Sequence, residues 1–282
     1  MGSVRVVSDS TANLPQELVA AHHIDVVPLQ VLFGNDAYAD GVDLNEEQFY
    51  RLLKESKALP RTSQPSAGEF AEVYRRLARD GHSIISIHIS GKLSGTVASA
   101  EAACGMVPEA NVTVIDTLSA SMGHGLLVLR AARAAQEGRS HEEIVDLVRL
   151  LAPRVRVFFV VDTLEYLQRG GRIGGAAALL GSVLSLKPIL AIREGRVEAI
   201  ERVRTKPKAI DRLIALLSEE IPDGATLQAA VLHGRAPEDA AALAGRIAER
   251  FKPRELITTE VGPVIATHAG PGVVGAAFYV EP

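Results

Sequence analysis

The pattern that best predicts the fold is found in residues 83–96, SIISIHISGKLSGT. Its first half is apolar and rich in isoleucine, which is typical of a buried strand, and its second half is a polar, glycine-containing turn that leads into a helix. A strand over residues 4–7 followed by a helix over residues 15–21 repeats this order. Because strands and helices alternate in this way, we expect a mostly parallel sheet with helices on both faces.

The pattern changes near Pro153. Residues 155–161 predict a strand, and residues 189–192 and 197–203 predict a hairpin whose turn is Arg193-Glu194-Gly195-Arg196. Helices and strands then alternate up to a final strand at residues 275–280, which indicates a mixed sheet with helices. We therefore expect an α/β protein of two α/β domains, residues 1–152 and residues 153–282.

The composition narrows the class of protein. The chain has 282 residues, of which 47% are hydrophobic and 4% aromatic, and its net charge is -4. These values indicate a folded protein with an aliphatic core and give no electrostatic reason to bind nucleic acid or an anionic membrane. The single cysteine, Cys104, excludes an intrachain disulfide and a cysteine-based zinc site.

Targeting and membrane segments are not expected. The N-terminus lacks the apolar run of a secretory signal. Residues 173–186 form the longest weakly polar stretch, which is too short to span a bilayer and predicts a buried helix plus a turn. We expect a cytoplasmic protein without an integral membrane segment.

Motifs for common cofactors are incomplete. Residues 270–275 match Gly-x-Gly-x-x-Gly, but they precede a strand at the C-terminus, whereas a dinucleotide site needs this motif between a strand and a helix. Residues 170–175, GGRIGG, lack the Gly-Lys-Ser/Thr ending of a P-loop. The histidines are scattered and lack metal-ligand spacing. We therefore expect no cofactor and no metal.

Three polar elements are harder to explain by packing, namely residues 62–66 (TSQPS), 90–96 (SGKLSGT) and 267–272 (THAGPG). The first two precede predicted helix N-termini, where free backbone N–H groups favour an anion such as a carboxylate. Each element alone is explained equally well by helix capping, since serine is common at that position. A carboxylate site is the hypothesis that uses all three together.

The order of the motifs identifies a resemblance. The chain contains SDSTANL at residues 8–14, TSQPS at 62–66, LSGT at 93–96, GGRI at 170–173 and HAGPG at 268–272. This ordered set resembles the DegV family, bacterial fatty-acid-binding proteins that include the binding subunits of fatty acid kinase. The resemblance covers residues 4–281, so it takes in essentially the whole chain.

The resemblance implies a function and a site. It implies that a long-chain fatty acid such as palmitate lies in an apolar tunnel, mainly in the C-terminal domain, for lipid transport or phospholipid synthesis. Thr62, Ser94 and His268 match the family residues near the carboxylate. A separate fatty acid kinase would be the partner, and Arg172 and Arg202 match positions on its docking face. The protein itself would not be an enzyme.

Physical arguments are compatible with that site, and they leave alternatives open. Burying a methylene contributes about 0.8 kcal/mol, and the apolar residues between positions 173 and 192 are candidates for the lining. The candidates are Ile173, Leu179, Leu180, Val183, Leu184, Leu186, Ile189, Leu190 and Ile192. A Ser94–His268 pair would instead suggest an acyl hydrolase. A third hypothesis is an interaction protein in which lipid is only structural.

Overall fold

A computed structural model describes residues 3–56, 58–180 and 186–282. The strands before Pro153 are β1 (Val4–Asp9), β2 (Asp25–Val27), β3 (Gln30–Phe33), β4 (Asp36–Ala39), β5 (Arg61–Ser63), β6 (Ser83–His88) and β7 (Val112–Asp116). The helices of this half are α1 (Gln16–Ala21), α2 (Glu46–Glu55), α3 (Ala67–Arg79), α4 (Thr96–Met106), α5 (Met122–Gln136) and α6 (His141–Leu151).

The predicted parallel sheet is confirmed. Its strands lie in the order β2-β1-β6-β7 and all neighbours are parallel. One face packs against apolar side chains of α3 and α4, such as Phe70 and Ala103, and the opposite face packs against α5 and α6. Helices α3 and α6 begin at capping boxes, Ser66–Glu69 and Ser140–Glu143, a pattern that the sequence itself displays.

The apolar run over residues 25–32 predicts a single strand, and this prediction is wrong. The structure divides it into β2, in the parallel sheet, and β3, in a small antiparallel sheet of order β4-β3-β5. Pro28 lies at the division, and its lack of an N–H group is unsuited to an uninterrupted strand ladder. The third strand of this small sheet is β5, and Thr62 lies on it, although the sequence predicts a loop there.

The second half of the chain forms the predicted mixed sheet. Its strands are β8 (Arg156–Val160), β9 (Lys187–Arg193), β10 (Arg196–Val203), β11 (Leu227–His233), β12 (Glu255–Glu260) and β13 (Val274–Val280), and its helices are α7 (Glu165–Arg169), α8 (Lys206–Glu220), α9 (Pro237–Phe251) and α10 (Pro263–Ala269). The strand order is β10-β9-β8-β13-β11-β12; β11 and β12 are parallel and the other neighbours antiparallel. The β9–β10 hairpin turns at the predicted place, at Gly195 with φ +79°.

The buried helix predicted within residues 173–186 is wrong in its described part. Residues Gly174–Leu179 form a short 3-10 helix in which Ala176 is buried and most neighbours are exposed. Gly174 has φ +50°, and a Cβ atom there would lie 2.3 Å from the Val197 carbonyl oxygen of β10. Residues Gly174–Leu179 therefore lie close to the backbone of β10 and do not pack as a buried α-helix. Residues 181–185 lie outside the described residues.

Helix α5 joins the two halves. It packs against both β1 and β11, and eleven of its 15 residues are buried. Two glycines permit this close approach, since a Cβ atom on Gly123 would lie 2.3 Å from a Val157 methyl carbon and one on Gly125 would lie 2.4 Å from the Ala12 carbonyl oxygen. The two sheets come from opposite sides of residue 153, and one hydrophobic cluster is continuous across that position.

A buried carboxylate connects β1 with β6. Asp9 is fully buried; its Oδ1 accepts hydrogen bonds from the Thr11 amide and hydroxyl, and its Oδ2 accepts one from the Ile89 amide. Asp9 Oδ2 also lies 2.9 Å from His88 Nδ1. Burial alone would raise the pKa of Asp9, but the two histidines His124 and His88 and these hydrogen bonds outweigh it and lower the pKa from 3.8 to about 2.

Replacing this carboxylate should strongly destabilise the fold. We expect Asp9→Ala to lower the free energy of unfolding by about 3–5 kcal/mol, because buried donors lose their acceptor. Since the folded pKa is lowered, the contribution of Asp9 is complete above its unfolded pKa of 3.8 and is lost as pH falls through about 2. Urea unfolding measures both effects. The control is Asp211→Asn, which removes an exposed ion pair with Arg246 and should cost under about 1 kcal/mol; equal losses would contradict the prediction.

Candidate functional site

A cavity lies against one face of the mixed sheet and takes its walls from both halves of the chain. Most of its lining is aliphatic: Leu29, Ile89, Leu93, Ala120, Val157, Phe159, Leu167, Ile192, Val197, Leu232, Val264, Ile265, Ala269 and Val273. The space, open mouth included, is about 840 Å³. Such a lining suits an extended apolar ligand.

Polar side chains lie together in one part of the wall. Thr62 comes from β5, Ser94 from the turn before α4, Arg172 from the segment after α7 and His268 from the last turn of α10. All four are residues that the sequence analysis singled out. Their positions on distant segments agree with a site built where several loops and helix ends meet.

Thr62 and His268 form a hydrogen-bonded pair. The Thr62 hydroxyl oxygen lies 2.8 Å from His268 Nε2. Burial, and secondarily the charge of Arg172, lowers the pKa of His268 from 6.5 to about 4, so the imidazole is neutral at physiological pH. His268 Nδ1 is buried without a hydrogen-bond partner. In the tautomer with the proton on Nε2, His268 donates to Thr62, and the Thr62 hydroxyl proton is then available to an anion.

Ser94 lies next to the start of α4. Its hydroxyl oxygen is 2.8 Å from the Thr96 hydroxyl, and Gly95 is the N-cap residue of the helix. A Cβ atom on Gly95 would lie 2.8 Å from Nε2 of the Gln64 side chain, so the turn and Gln64 are in close contact. Hydroxyl groups and helix-start amides are donors suited to a carboxylate.

The acyl hydrolase hypothesis receives no support from this geometry. In the described part of the chain, His268 is hydrogen-bonded to Thr62 and Ser94 to Thr96, and no hydrogen bond joins Ser94 to His268. Among the residues that the structure describes, no carboxylate orients the imidazole, because His268 Nδ1 has no hydrogen-bond partner there. A serine nucleophile needs both the base and its orienting group.

Arg172 occupies a different position from the one expected. Its glycine-flanked position in the sequence predicts a partner surface outside the lipid site, and this is wrong, because the Arg172 side chain lines the cavity. Two backbone carbonyls fix the guanidinium, with Nε donating to Leu93 at 3.0 Å and Nη1 to Gly170 at 2.6 Å. Arg172 therefore has a fixed, half-buried side chain in the fold, although it follows a glycine in the sequence. Its role in docking a partner remains a prediction.

Arg202 lies elsewhere. It is exposed on the edge strand β10, in register with Pro188, and does not contribute to the cavity lining. Farther along the same basic run, Lys206 is engaged with Asp162 at 3.3 Å and Asp239 at 3.6 Å. Arg202 therefore stays accessible to a partner, whereas the Lys206 ammonium is already neutralised within the chain.

The predicted apolar lining is largely wrong. Of the candidates between residues 173 and 192 that the structure describes, Ile192 lines the cavity, while Ile189 and Leu190 are buried within the sheet. Val183 and Leu184 lie outside the described residues. The walls come instead from strands of the mixed sheet and from loops and helix ends of both halves, and proximity in the sequence does not reveal which of these segments meet. Gln64, which the analysis did not single out, lines the cavity as part of the Thr-Ser-Gln-Pro motif.

Comparison with known proteins assigns the family. Residues 3–281 match the family described as "Uncharacterised protein, DegV family". The chain belongs to the DegV family. It is 37% identical to Protein DegV of Bacillus subtilis over 277 residues, which covers 98% of this chain and 99% of that protein.

Solved DegV structures have the same fold. A DegV family protein from Thermus thermophilus, described for its fatty acid binding, is 40% identical, with a TM-score of 0.94 over 99% of this chain and 100% of that chain. Bacillus subtilis DegV, described as a fatty acid binding protein, is 36% identical, with a TM-score of 0.92 over the whole of both chains. Both likenesses extend across both halves of the chain and therefore across the cavity.

The described residues contain neither a membrane-spanning helix nor a cluster of metal ligands. Within residues 3–56, 58–180 and 186–282, no helix is long and apolar enough to cross a membrane. The same described residues contain no group of three or more histidine, cysteine, aspartate or glutamate side chains placed to hold a metal ion.

Gly170 should control the position of His268. A Cβ atom on Gly170 would lie 2.2 Å from His268 Nδ1, so Gly170→Ala should displace the imidazole and break its contact with Thr62. We expect the pKa of His268 to rise from about 4 towards 6.5, measured by NMR titration, since burial is the main cause of its low value. Gly245→Ala on α9, where nothing lies within 4 Å, is the control. An unchanged His268 pKa in Gly170→Ala would show that the site tolerates the methyl group.

Proposed function

We propose that this protein binds a long-chain fatty acid, with the acyl chain in the cavity over the mixed sheet and the carboxylate at Thr62, Ser94 and His268. The observation that carries the proposal is the aliphatic cavity whose polar side chains include the Thr62–His268 pair. The fatty acid binding named for the Thermus thermophilus and Bacillus subtilis relatives supports it. The proposed role is binding without catalysis.

The acyl chain supplies most of the binding free energy in this proposal. At about 0.8 kcal/mol for each buried methylene, a chain of palmitate length contributes roughly 10 kcal/mol before the costs of ordering are subtracted. The aliphatic walls, with Phe159 as their aromatic member, provide the required surface.

The carboxylate needs donors, because burying it unpaired costs several kcal/mol. The hydroxyls of Thr62 and Ser94 can donate, and the neutral His268 orients the first of them. Arg172 adds a fixed positive charge in the same wall. A charged ligand therefore finds both hydrogen bonds and a favourable potential at this end of the cavity.

Presentation of the carboxylate to a separate fatty acid kinase, in the cytoplasm and for lipid transport or phospholipid synthesis, is the finer part of the proposal. It rests on the family resemblance and on exposure at the site. The head-group residues are only half-buried and Gln64 beside them is exposed, so the carboxylate would remain within reach of a partner. Arg172 and Arg202 are the proposed docking residues.

Delipidated protein should bind palmitate with micromolar affinity or better, with about one site per chain, in a fluorescent-probe displacement titration. Thr62→Ala and Ser94→Ala should each weaken binding about tenfold to a hundredfold, because a hydrogen bond to a charged group is lost. The same changes should hardly affect methyl palmitate, which carries no charge at its head.

Ser63→Ala is the matched control, since Ser63 is an exposed neighbour on β5 whose hydroxyl donates to the Gln64 carbonyl and which does not line the cavity. It should leave both affinities unchanged. Equal losses for acid and ester in Thr62→Ala and Ser94→Ala would show that these residues shape the cavity and do not hold the carboxylate. Absence of palmitate binding to verified delipidated protein would end the proposal.

Substitutions of Arg172 and Arg202 should have different effects on palmitate affinity and on the rate of a kinase assay. Arg202→Ala should leave palmitate affinity unchanged and lower the rate at which a cognate fatty acid kinase phosphorylates bound palmitate, more at low salt than at high salt. Arg172→Ala should lower both quantities, because Arg172 lines the cavity. Arg79→Ala, an exposed change on α3, is the control. Kinase rates unaffected by Arg202→Ala at low salt would remove this residue from the docking surface.

A further inference from the structure

A pair of hydrogen bonds joins the two halves of the chain beside the head-group site. The Ser90 hydroxyl donates to the Gly195 carbonyl at 2.8 Å. Nζ of Lys92 donates to the Glu194 carbonyl, also at 2.8 Å. The donors belong to the turn between β6 and α4, which carries Ser94, and the acceptors form the turn of the β9–β10 hairpin. Two neighbouring carbonyls of one turn therefore receive donors from the other.

The hairpin turn has a shape that leaves these carbonyls available. Glu194 has φ +47° and Gly195 has φ +79°, so both are in the left-handed region that a tight two-residue hairpin requires. Arg193 and Arg196 are the last paired residues of the ladder, and the carbonyls of the turn residues lie beyond it and need partners from another segment. A Cβ atom on Gly195 would overlap the Ser90 hydroxyl, so the glycine also permits the close approach.

Ser90 also builds the turn that ends at Ser94. Its carbonyl accepts the amides of Leu93 at 2.9 Å and Ser94 at 3.1 Å, and its amide donates to the Ser119 carbonyl at 2.8 Å. Its hydroxyl oxygen accepts the Lys92 amide at 3.1 Å. Ser90 is fully buried and lies outside the described lining of the cavity. All its polar groups are used within the protein, so it can act on a ligand only through the residues that it holds.

Both segments joined by this contact carry residues of the cavity wall. Leu93 and Ser94 line the cavity from the turn, and Ile192 and Val197 line it from the two strands of the hairpin. Arg172 also holds the turn, through its hydrogen bond to the Leu93 carbonyl at 3.0 Å. Ser94 thus comes from the first half of the chain, but hydrogen bonds with the second half fix its turn.

We propose that Ser90 is a positioning residue of the fatty-acid site, which fastens the turn carrying Ser94 to the β9–β10 hairpin and thereby holds the Ser94 hydroxyl in place for the carboxylate. This inference rests on the proposed function. Without the Ser90 hydroxyl, the Gly195 carbonyl and the Lys92 amide each lose a partner, so the turn can move relative to the hairpin. A displaced hydroxyl is a poor donor, because hydrogen bonds weaken steeply as their geometry departs from linear. Burial of the acyl chain depends far less on the position of one hydroxyl.

The test is a double-mutant cycle on delipidated full-length protein, with wild type, Ser90→Ala, Ser94→Ala and the double variant each titrated with palmitate and with methyl palmitate. Ser90→Ala should weaken palmitate binding severalfold, up to about tenfold, and should hardly change the affinity for the ester. In the Ser94→Ala background the same substitution should have no further effect on palmitate, because the hydroxyl that Ser90 positions is gone. Ser218→Ala, which removes a hydroxyl that donates to the Ile214 carbonyl within α8, is the control and should follow wild type in both titrations.

Hydrogen exchange of the ligand-free protein reports on the turn without any fatty acid. The Ser94 amide should exchange faster in Ser90→Ala than in wild type or Ser218→Ala, because the turn is released from the hairpin. Lys92→Met, an exposed change that removes the other donor to the hairpin, is the second variant if Ser90→Ala folds poorly. It should shift exchange and palmitate affinity in the same direction and to a smaller extent.

Equal losses for palmitate and methyl palmitate in Ser90→Ala, or losses that add in the double variant, would show that Ser90 only supports the fold and would overturn the inference. Wild-type affinity and wild-type exchange in both Ser90→Ala and Lys92→Met would overturn it too. Either result leaves the proposed function standing if wild type binds palmitate and Ser94→Ala weakens that binding. Absence of palmitate binding to the wild-type protein would end both.

Discussion

The buried Asp9 carboxylate is the interaction on which the segments after β1 and β6 depend. It holds the chain after β1 through Thr11 and the chain after β6 through His88 and Ile89. Ser10 lies within the first of these segments, and the turn that contains Ser94 directly follows the second. A fully buried acid is tolerated here because both of its oxygens accept hydrogen bonds.

The cavity results from how the two sheets are held around α5. The glycines of that helix bring it close to the segment after β1 and to the mixed sheet, and the cavity lies over the mixed sheet among segments of both halves. Aliphatic layers produce the apolar part, whereas the polar part forms where β5, the turn before α4 and the end of α10 meet. Capture of an amphipathic molecule requires both parts, and each half of the chain supplies some of each.

Local features were predictable from the sequence and long-range ones were not. The capping boxes at Ser66 and Ser140 and the hairpin at Gly195 depend on neighbours within a few residues, so their patterns are sufficient. The family resemblance supplied Thr62, Ser94 and His268 as candidates, although their mutual distances arise only in the fold. The cavity wall and the fixation of Arg172 by Leu93 depend on contacts between segments far apart in the chain, which periodicity does not encode.

The Thr62–His268 contact joins residues separated by 206 positions. Closing so long a loop costs chain entropy that only later contacts repay, and distant pairings of this kind are slow to form. The head-group pair can therefore form only when both halves of the chain are in place. Under the proposed function, a chain in which only the first sheet is built would lack His268 beside Thr62, so ligand retention would report on completion of folding as well as on the presence of the protein.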